Sequence, residues 1–383
     1  MRAVLVLVAS AALARAQSIT WTGAGTGSNA GLWTFAGNWN LNRLPGASDD
    51  VLIPTGAAVV RLNSGTQTIK SITCGAPFSL DTGTLSVTSA GTFTGGVTFA
   101  GATLAGSGTV TLNCDANMLK GSLAGAGTLI IPFGRTLTIA PQQTPTFAKP
   151  IVNQGAIDWV SGEVAFGGST ITVQSGAVLM LSGATKGWVA SGTNAITNAA
   201  GGTILKSDTG TFQTSGGVTL NNSGLILVNA GTLQIASSGT LGGTCTVGNG
   251  ATLLVTADQT FLAGSRIDGN GVFNISSGIC TTTGDVSWAN MRLTNGTIDG
   301  VGKITLSGAA NQWLSGTMKG GGTLSVASGA TLSILSSSHT LARTLENRGT
   351  LIWSAGTIGV TGGTINNLAG ATFQITAADS CVG

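Results

Sequence analysis

The sequence predicts an all-β fold: a single-stranded, right-handed parallel β-helix, a three-sided β-solenoid of about 21 residues per rung with a Trp-rich N-terminal cap. Three observations predict it. In residues 347–375 the glycines at 349, 356, 363 and 370 recur every seven residues and open the phrases Gly-Thr-Leu, Gly-Thr-Ile, Gly-Thr-Ile and Gly-Ala-Thr-Phe. Within each phrase apolar residues alternate with small polar ones, the mark of a strand with one buried face, and the glycine marks the bend. Seven residues hold one strand and one bend, so three of them close a turn. Lastly, the landmarks Asn347, Gly349, Trp353, Gly356, Gly362, Thr364, Ile365, Gly370 and Ala371 repeat Asn153, Gly155, Trp159, Gly162, Gly168, Thr170, Ile171, Gly176 and Ala177 at one constant offset. Residues 104–181 and 298–375 therefore read as two copies of one unit, and 222–255 as a weaker copy carrying Asn222, Gly224, Gly231 and Gly250.

Composition agrees. Of 383 residues 61 are glycine and seven proline, tyrosine is absent, 42% are hydrophobic and only 8% charged. Alternation on that scale belongs to a packed chain and not to a disordered Gly-rich one. No segment reads as an amphipathic helix. Stacked rungs bury one narrow continuous core, so glycine at the bends costs little packing.

In chain order, residues 1–16 read as a secretory signal peptide. Arg2 precedes an apolar run from Val4 to Leu13, and Ala14-Arg15-Ala16 forms an A-x-A cleavage site. The run is too short for a transmembrane segment. The expected mature chain starts at Gln17 and is secreted, extracellular or held at the cell surface. Without Arg2 and Arg15 the 16 basic residues fall to 14 against 13 acidic ones, a balance that gives no reason to expect nucleic acid or an anionic membrane as partner.

Residues 17–54 form the expected N-terminal cap. Trp21, Trp33 and Trp39 crowd there with Phe35, and Pro45-Gly46 turns the chain before Asp49-Asp50-Val51-Leu52-Ile53-Pro54. The first rung of a solenoid exposes an open ladder and the end of its core, and large rings suit a cover. A sugar-stacking platform is the rival role for these rings. Asp49 and Asp50, without further ligands near them in sequence, are expected to face water and not to hold calcium. The β-helix proper is expected over 55–383.

These residues carry a resemblance. The pattern W-T-G, N-W-N, P-G and D-D-V-x-I between Trp21 and Ile53, followed by Gly-Thr-Leu rungs and Asn-x-Gly-Thr-Leu-Ile-Trp-Ser-x-Gly-Thr-Ile at 347–358, resembles large bacterial secreted or surface β-helix repeat proteins, adhesin-like and autotransporter-passenger-like chains. The likeness spans the mature sequence. It implies architecture and an extracellular life; its motifs specify no activity. The Asn-Pro-Asn-Gly signature of two-partner-secreted haemagglutinins is missing, and neither a β-barrel translocator nor a C-terminal anchor is recognised, so the export route stays open.

Two stretches break the rhythm. Residues 141–150 contain three of the seven prolines and are expected to stand off one face as a loop, since proline cannot donate to the ladder. Their counterpart at 336–342 is also non-repetitive. Loops at one place on a solenoid often make a binding face.

Chemistry is sparse. His339 is the one histidine and is expected in an exposed loop; zinc ligation or a Ser-His-Asp relay through it lacks companions. Asp158 and Glu163 lie close in the first copy, but Ile352 and Thr357 replace them in the second. Neither a catalytic residue, nor a metal site, nor a cofactor is assigned. Trp159 and Trp353 share a repeat position with inward leucines and read as core. Trp188, Trp288 and Trp313 follow no register and are the candidate ligand contacts, exposed rings for sugars. Cys74, Cys114, Cys245, Cys280 and Cys381 are odd in number and lack a Cys-x-x-Cys. Small buried residues are the expectation for most of them. Thr-x-Thr pairs recur from 66–68 to 170–172; ranked on a flat face they would suit ice, but their irregular spacing argues against ranks that align.

The reading that results is a structural or adhesive exoprotein contacting glycans or surface components. The alternative is a carbohydrate-active enzyme or carbohydrate-binding module, which would need a groove holding two or more acids and a basic residue. An open last rung invites end-to-end or edge association.

Overall fold

The structure, a computed structural model, describes residues 17–383 except 184–185, 188, 215–216, 337, 377–380 and 383. The expected signal peptide and Trp188 thus lie outside the described residues. Strand alternation becomes a coil of about 16 turns in which each strand pairs in parallel with the strand one turn earlier and one turn later. Two short 3-10 turns, Gly27–Asn29 and Ala36–Asn38, are the helical elements among the described residues.

Each turn has three faces. Ile151–Asn153, Thr170–Val173 and Asn194–Asn198 stack on the first face, and Ala156–Trp159, Val178–Leu181 and Thr203–Lys206 on the second. Thr211–Gln213, Thr232–Ile235 and Thr252–Val255 lie on the third, a ten-stranded sheet. Strands that run through a corner without a break, such as Gly316–Val326 and Ser338–Asn347, help join the others into a 35-stranded sheet. Turns are unequal in length: on the first face the step from Cys280 to Ile298 is short and that from Ile171 to Ile196 long. The expected rung of about 21 residues falls between these two.

Inward residues of all faces form one apolar cluster running from Ile19 to Ile358. At the N-terminal end Ser18–Thr20 pairs with Asp50–Ile53, which pairs with 71–74. The intervening chain brings Trp33 onto Trp39 and Phe78, with ring centroids 4.8 and 5.8 Å apart and near-perpendicular planes. Trp21 meets Trp39 edge-on at 4.9 Å. All three indoles are buried. Edge-to-face pairs of this kind add about 0.5–1.5 kcal/mol each beyond area burial. Asn38, fully buried, ties the turns by donating to Asn29 O and Leu32 O and accepting from Gly25 N. Asp49 does not face water as expected: it is 2% exposed, takes both Arg43 guanidinium nitrogens at 2.5 and 2.9 Å and the Gly46 N–H at 2.7 Å. The Arg43 hydrogen bond holds its carboxyl below the usual range. Asp50 is bonded to Ser71 and Lys70.

The two irregular stretches are loops only in part: 141–145 and 148–150 carry no strand, whereas 146–147 and 338–342 do. Thr146–Phe147 is a strand, and Phe147 and Lys149 are fully buried. Pro141, Pro145 and Pro150 flank the short pairing instead of interrupting it, which is where a missing N–H is tolerated. In the counterpart, Ser338–Asn347 is one continuous strand that buries every second residue from His339 onward.

The duplication transfers strand to strand. Asn153 donates to Val178 O at 2.8 Å and Asn347 to Thr372 O at 2.7 Å; Gly155 N and Gly349 N each return to their asparagine at 3.1 Å. Trp159 Nε1 donates to Gly162 O and Trp353 Nε1 to Gly356 O, both at 2.9 Å. Those glycines hold φ of 74° and 83°, a region costly for other residues. Yet the copies do not share faces. From 151–153 the chain returns to the first face nine times, at 171, 196, 220, 239, 259, 280, 298, 318 and 341, before 344–347 falls on the second. Ala156–Trp159 therefore sits on the second face and Thr350–Trp353 on the third. The second copy is the first moved up the coil and around it by one face.

Lys149 and Arg343, separated by the same offset as the other landmarks, show why the corner survives the move. Both are buried. Lys149 Nζ donates to Gly106 O, two turns back, at 3.2 Å. Arg343 donates Nε to Gly322 O at 3.1 Å and Nη2 to Gly302 O at 3.3 Å. A Cβ on Gly106 would strike the Val87 carbonyl, and one on Gly300 the Thr282 carbonyl. The glycines let rungs close up until their carbonyls form a cradle for a cation. Burial pushes the Lys149 pKa down, and that of Arg343 down to about 10, partly opposed by the charge of Asp299.

Candidate functional site

Outward residues of paired strands line up in columns about 4.8 Å apart along the coil. On the first face Thr73, Thr92 and Thr111 are in register, as are Thr172 and Thr197, and Thr240, Thr260 and Thr281. Single threonines thus align in short runs, but the Thr-x-Thr pairs do not stack as ranks: Thr66 opposes Thr84 while Thr68 opposes Ser86, and Thr136 and Thr138 oppose Ala156 and Asp158. Ile130, Val152 and Asn221 interrupt the column.

Beside Thr260 a cleft of about 330 Å³ is lined by Ser238, Gly239, Asp258, Gln259, Thr260, Ile279, Thr281 and Asp299. Four consecutive turns position it. Thr260, Thr281 and Asp299 form one column, and Ile279, across from Thr297, belongs to the neighbouring one. Asp258 sits at the corner before Gln259–Phe261 and takes the Ile279 N–H on Oδ1 at 2.8 Å. Asp299 takes the Gly300 N–H on Oδ1 at 2.6 Å and faces Lys319 Nζ through Oδ2 at 3.5 Å. Gln259, 2% exposed, donates Nε2 to Ser237 O at 2.5 Å, while its Oε1 has no partner among the described residues. The hydroxyls of Ser238, Thr260 and Thr281 are likewise without a protein partner among the described residues. Ile279 is 37% exposed and is the large apolar side chain of the lining. Such a site offers hydrogen-bond acceptors and adaptable hydroxyls. Its two carboxylates stand two rungs apart, about 10 Å along the axis. That exceeds the roughly 5–5.5 Å of a retaining carboxylate pair.

The candidate aromatic contacts do not meet here. Trp288 and Trp313 are fully buried, which corrects the expectation that these rings are exposed. Trp288 packs edge-on between Phe261 and Phe273 at 4.9 and 5.3 Å, and Trp313 lies 4.8 Å from the His339 ring. Each shares strand parity with an inward neighbour, Val286 and Asn311, so the alternation itself held the signal. His339 is also corrected, from exposed loop to 3% exposed, with its ring nitrogens against the carbonyls of Trp313, Leu335 and Thr357. Asp158 accepts from Ser182 at 2.6 Å. Trp159 and Trp353 are core, as read from the sequence.

Cys74, Cys114, Cys245 and Cys280 are buried free thiols and Cys381 an exposed one. Burial raises the Cys74 and Cys245 thiols to about 12. Among the described residues no group of three or more His, Cys, Asp or Glu is placed to hold a metal ion, and no helix is long and apolar enough to cross a membrane.

Compared with known proteins, the chain matches no family model, no curated protein and no solved structure.

Proposed function

We propose that this chain is a secreted or cell-surface β-solenoid with a structural or adhesive role, contacting glycans through its hydroxyl-bearing faces. The observation that carries the reading is the first face. A stiff coil of about 16 turns holds threonine, serine and asparagine side chains in fixed columns, a surface suited to hydroxylated ligands. The leader-like residues 1–16 and the resemblance to bacterial surface repeat proteins support the location outside the cell.

The alternative, a carbohydrate-active enzyme or binding module, is favoured by the cleft lined by Asp258 and Asp299, with Lys319 paired to Asp299 at its edge. The separation of its carboxylates fits binding better than a retaining cleavage. A glycan array on purified 17–383, with polysaccharide cleavage scored in the same samples, separates the readings. Binding without cleavage is expected. Cleavage would replace the adhesive reading with an enzymatic one, and silence on both counts would leave a spacer without glycan contact.

A further inference from the structure

We propose that the cleft between Ser238 and Asp299 is a subsite for one ring of a neutral sugar, a step that rests on the glycan-contact reading above. Its size, about 330 Å³, lies at the small end of ligand sites and suits a single ring rather than a peptide side chain bundle. Its chemistry is that of sugar recognition. Asp258 and Asp299 each keep acceptor capacity after bonding one backbone N–H, and a carboxylate accepts strongly from hydroxyl donors. The free hydroxyls of Thr260 and Thr281 both donate and accept, as vicinal sugar hydroxyls require. Ile279, exposed on the same outward side as Thr281, offers an apolar surface to the C–H face of the ring.

The Gln259 side chain lies on the inward row with Phe261 and donates to Ser237 O, so Gln259 borders the cleft without turning its amide into it. The charge balance selects the class. Two carboxylates and no cation line the cleft, and Lys319 outside the lining is already paired with Asp299, so uronates and sulfated sugars are repelled. A divalent cation is poorly served too, because carboxylates two rungs apart cannot share one ion.

The test compares full-length mature chain with three variants on neutral and anionic oligosaccharides, by array and by ligand-observed NMR. Thr260→Val with Thr281→Val removes the hydroxyls and keeps the β-branch; Ile279→Trp fills the cleft. Thr92→Val with Thr111→Val makes the same change in the same column outside it. Loss of two ligand hydrogen bonds predicts about tenfold weaker binding for the first and for the filled cleft, with melting temperatures unchanged and the outside pair like wild type. Glycan binding that the cleft variants leave intact, or that the outside pair weakens equally, would overturn the subsite while the broader reading stood. Preference for anionic sugars would overturn the ligand class. No binding to any glycan would overturn both.

Discussion

The segments 151–181 and 345–375 are the same chain solution placed twice on one coil, and their difference is instructive. Both close an Asn-x-Gly corner with the same two hydrogen bonds and plug the next strand with a tryptophan bonded to a glycine carbonyl. They nevertheless occupy different faces, because nine turns and one corner separate them. What repeats is therefore the strand with its corner. A three-sided rung offers nearly equivalent sides, so a unit of this kind can be displaced by one side without losing its partners. The copies differ most where they meet the cradle of glycine carbonyls: Lys149 makes one bond there, Arg343 two.

The sharpest way to break this equivalence is at the corner glycines. Gly106 and Gly300 hold φ of 102° and 105°, and a methyl on either meets a carbonyl of the preceding rung. Gly106→Ala and Gly300→Ala should each cost about 3 kcal/mol or more by chemical denaturation. A large loss at one and none at the other would show that the corners are not the same device.

Next come the plugs. Trp159→Ala is expected to cost about 3–5 kcal/mol, and Trp353→Ala somewhat less, since Trp353 is 6% exposed and nearer the last rung. Hydrogen exchange should localise each effect to the neighbouring rungs, because stability in a stacked coil is a sum of nearest-neighbour terms.

The cations should differ in the size of their effect. Arg343→Met leaves the Gly302 and Gly322 carbonyls without a donor and should cost about 1–3 kcal/mol. Lys149→Met trades one long hydrogen bond for relief from burying a charge and should fall within about 1 kcal/mol of wild type. Lys149 also has a lowered pKa, so the unfolded chain holds its proton more firmly. Its contribution therefore makes stability rise with pH from its folded pKa to that of a free lysine. Lys149→Met should flatten that rise in denaturation midpoints measured across alkaline pH.

The smallest difference between the copies lies at the asparagines. Asn153→Ala and Asn347→Ala should each lose about 1–2 kcal/mol and match one another more closely than the cation pair does.

Much of this was legible because it is local. A glycine every seven residues and the alternation between glycines specify strand, corner and inward side without any distant contact. The same rule, applied to Ser338–Asn347, also places His339, Leu341, Arg343 and Leu345 on one inward row; reading the stretch as non-repetitive hid it. Trp288 and Trp313 were misplaced in the same way, their lack of repeat register outweighing their parity with Val286 and Asn311. The cleft was not legible. Asp258, Thr281 and Asp299 meet only after turns of unequal length are stacked, and the corner lengths that decide the register carry no pattern of their own. The shift of one face was hidden for the same reason. The constant offset between the copies is visible in the chain, but converting it to turns requires the pairing of every intervening rung.

The most direct test of that shift is a rung-to-rung cross-link. In a Cys381→Ser background, the pair Ser333→Cys and Ile352→Cys should be bridged rapidly by a short bis-maleimide, because these positions are directly opposed on the third face. Bridging of Ser325→Cys with Ile352→Cys instead, with the first pair unreactive toward each other, would return the second copy to the second face and contradict the account.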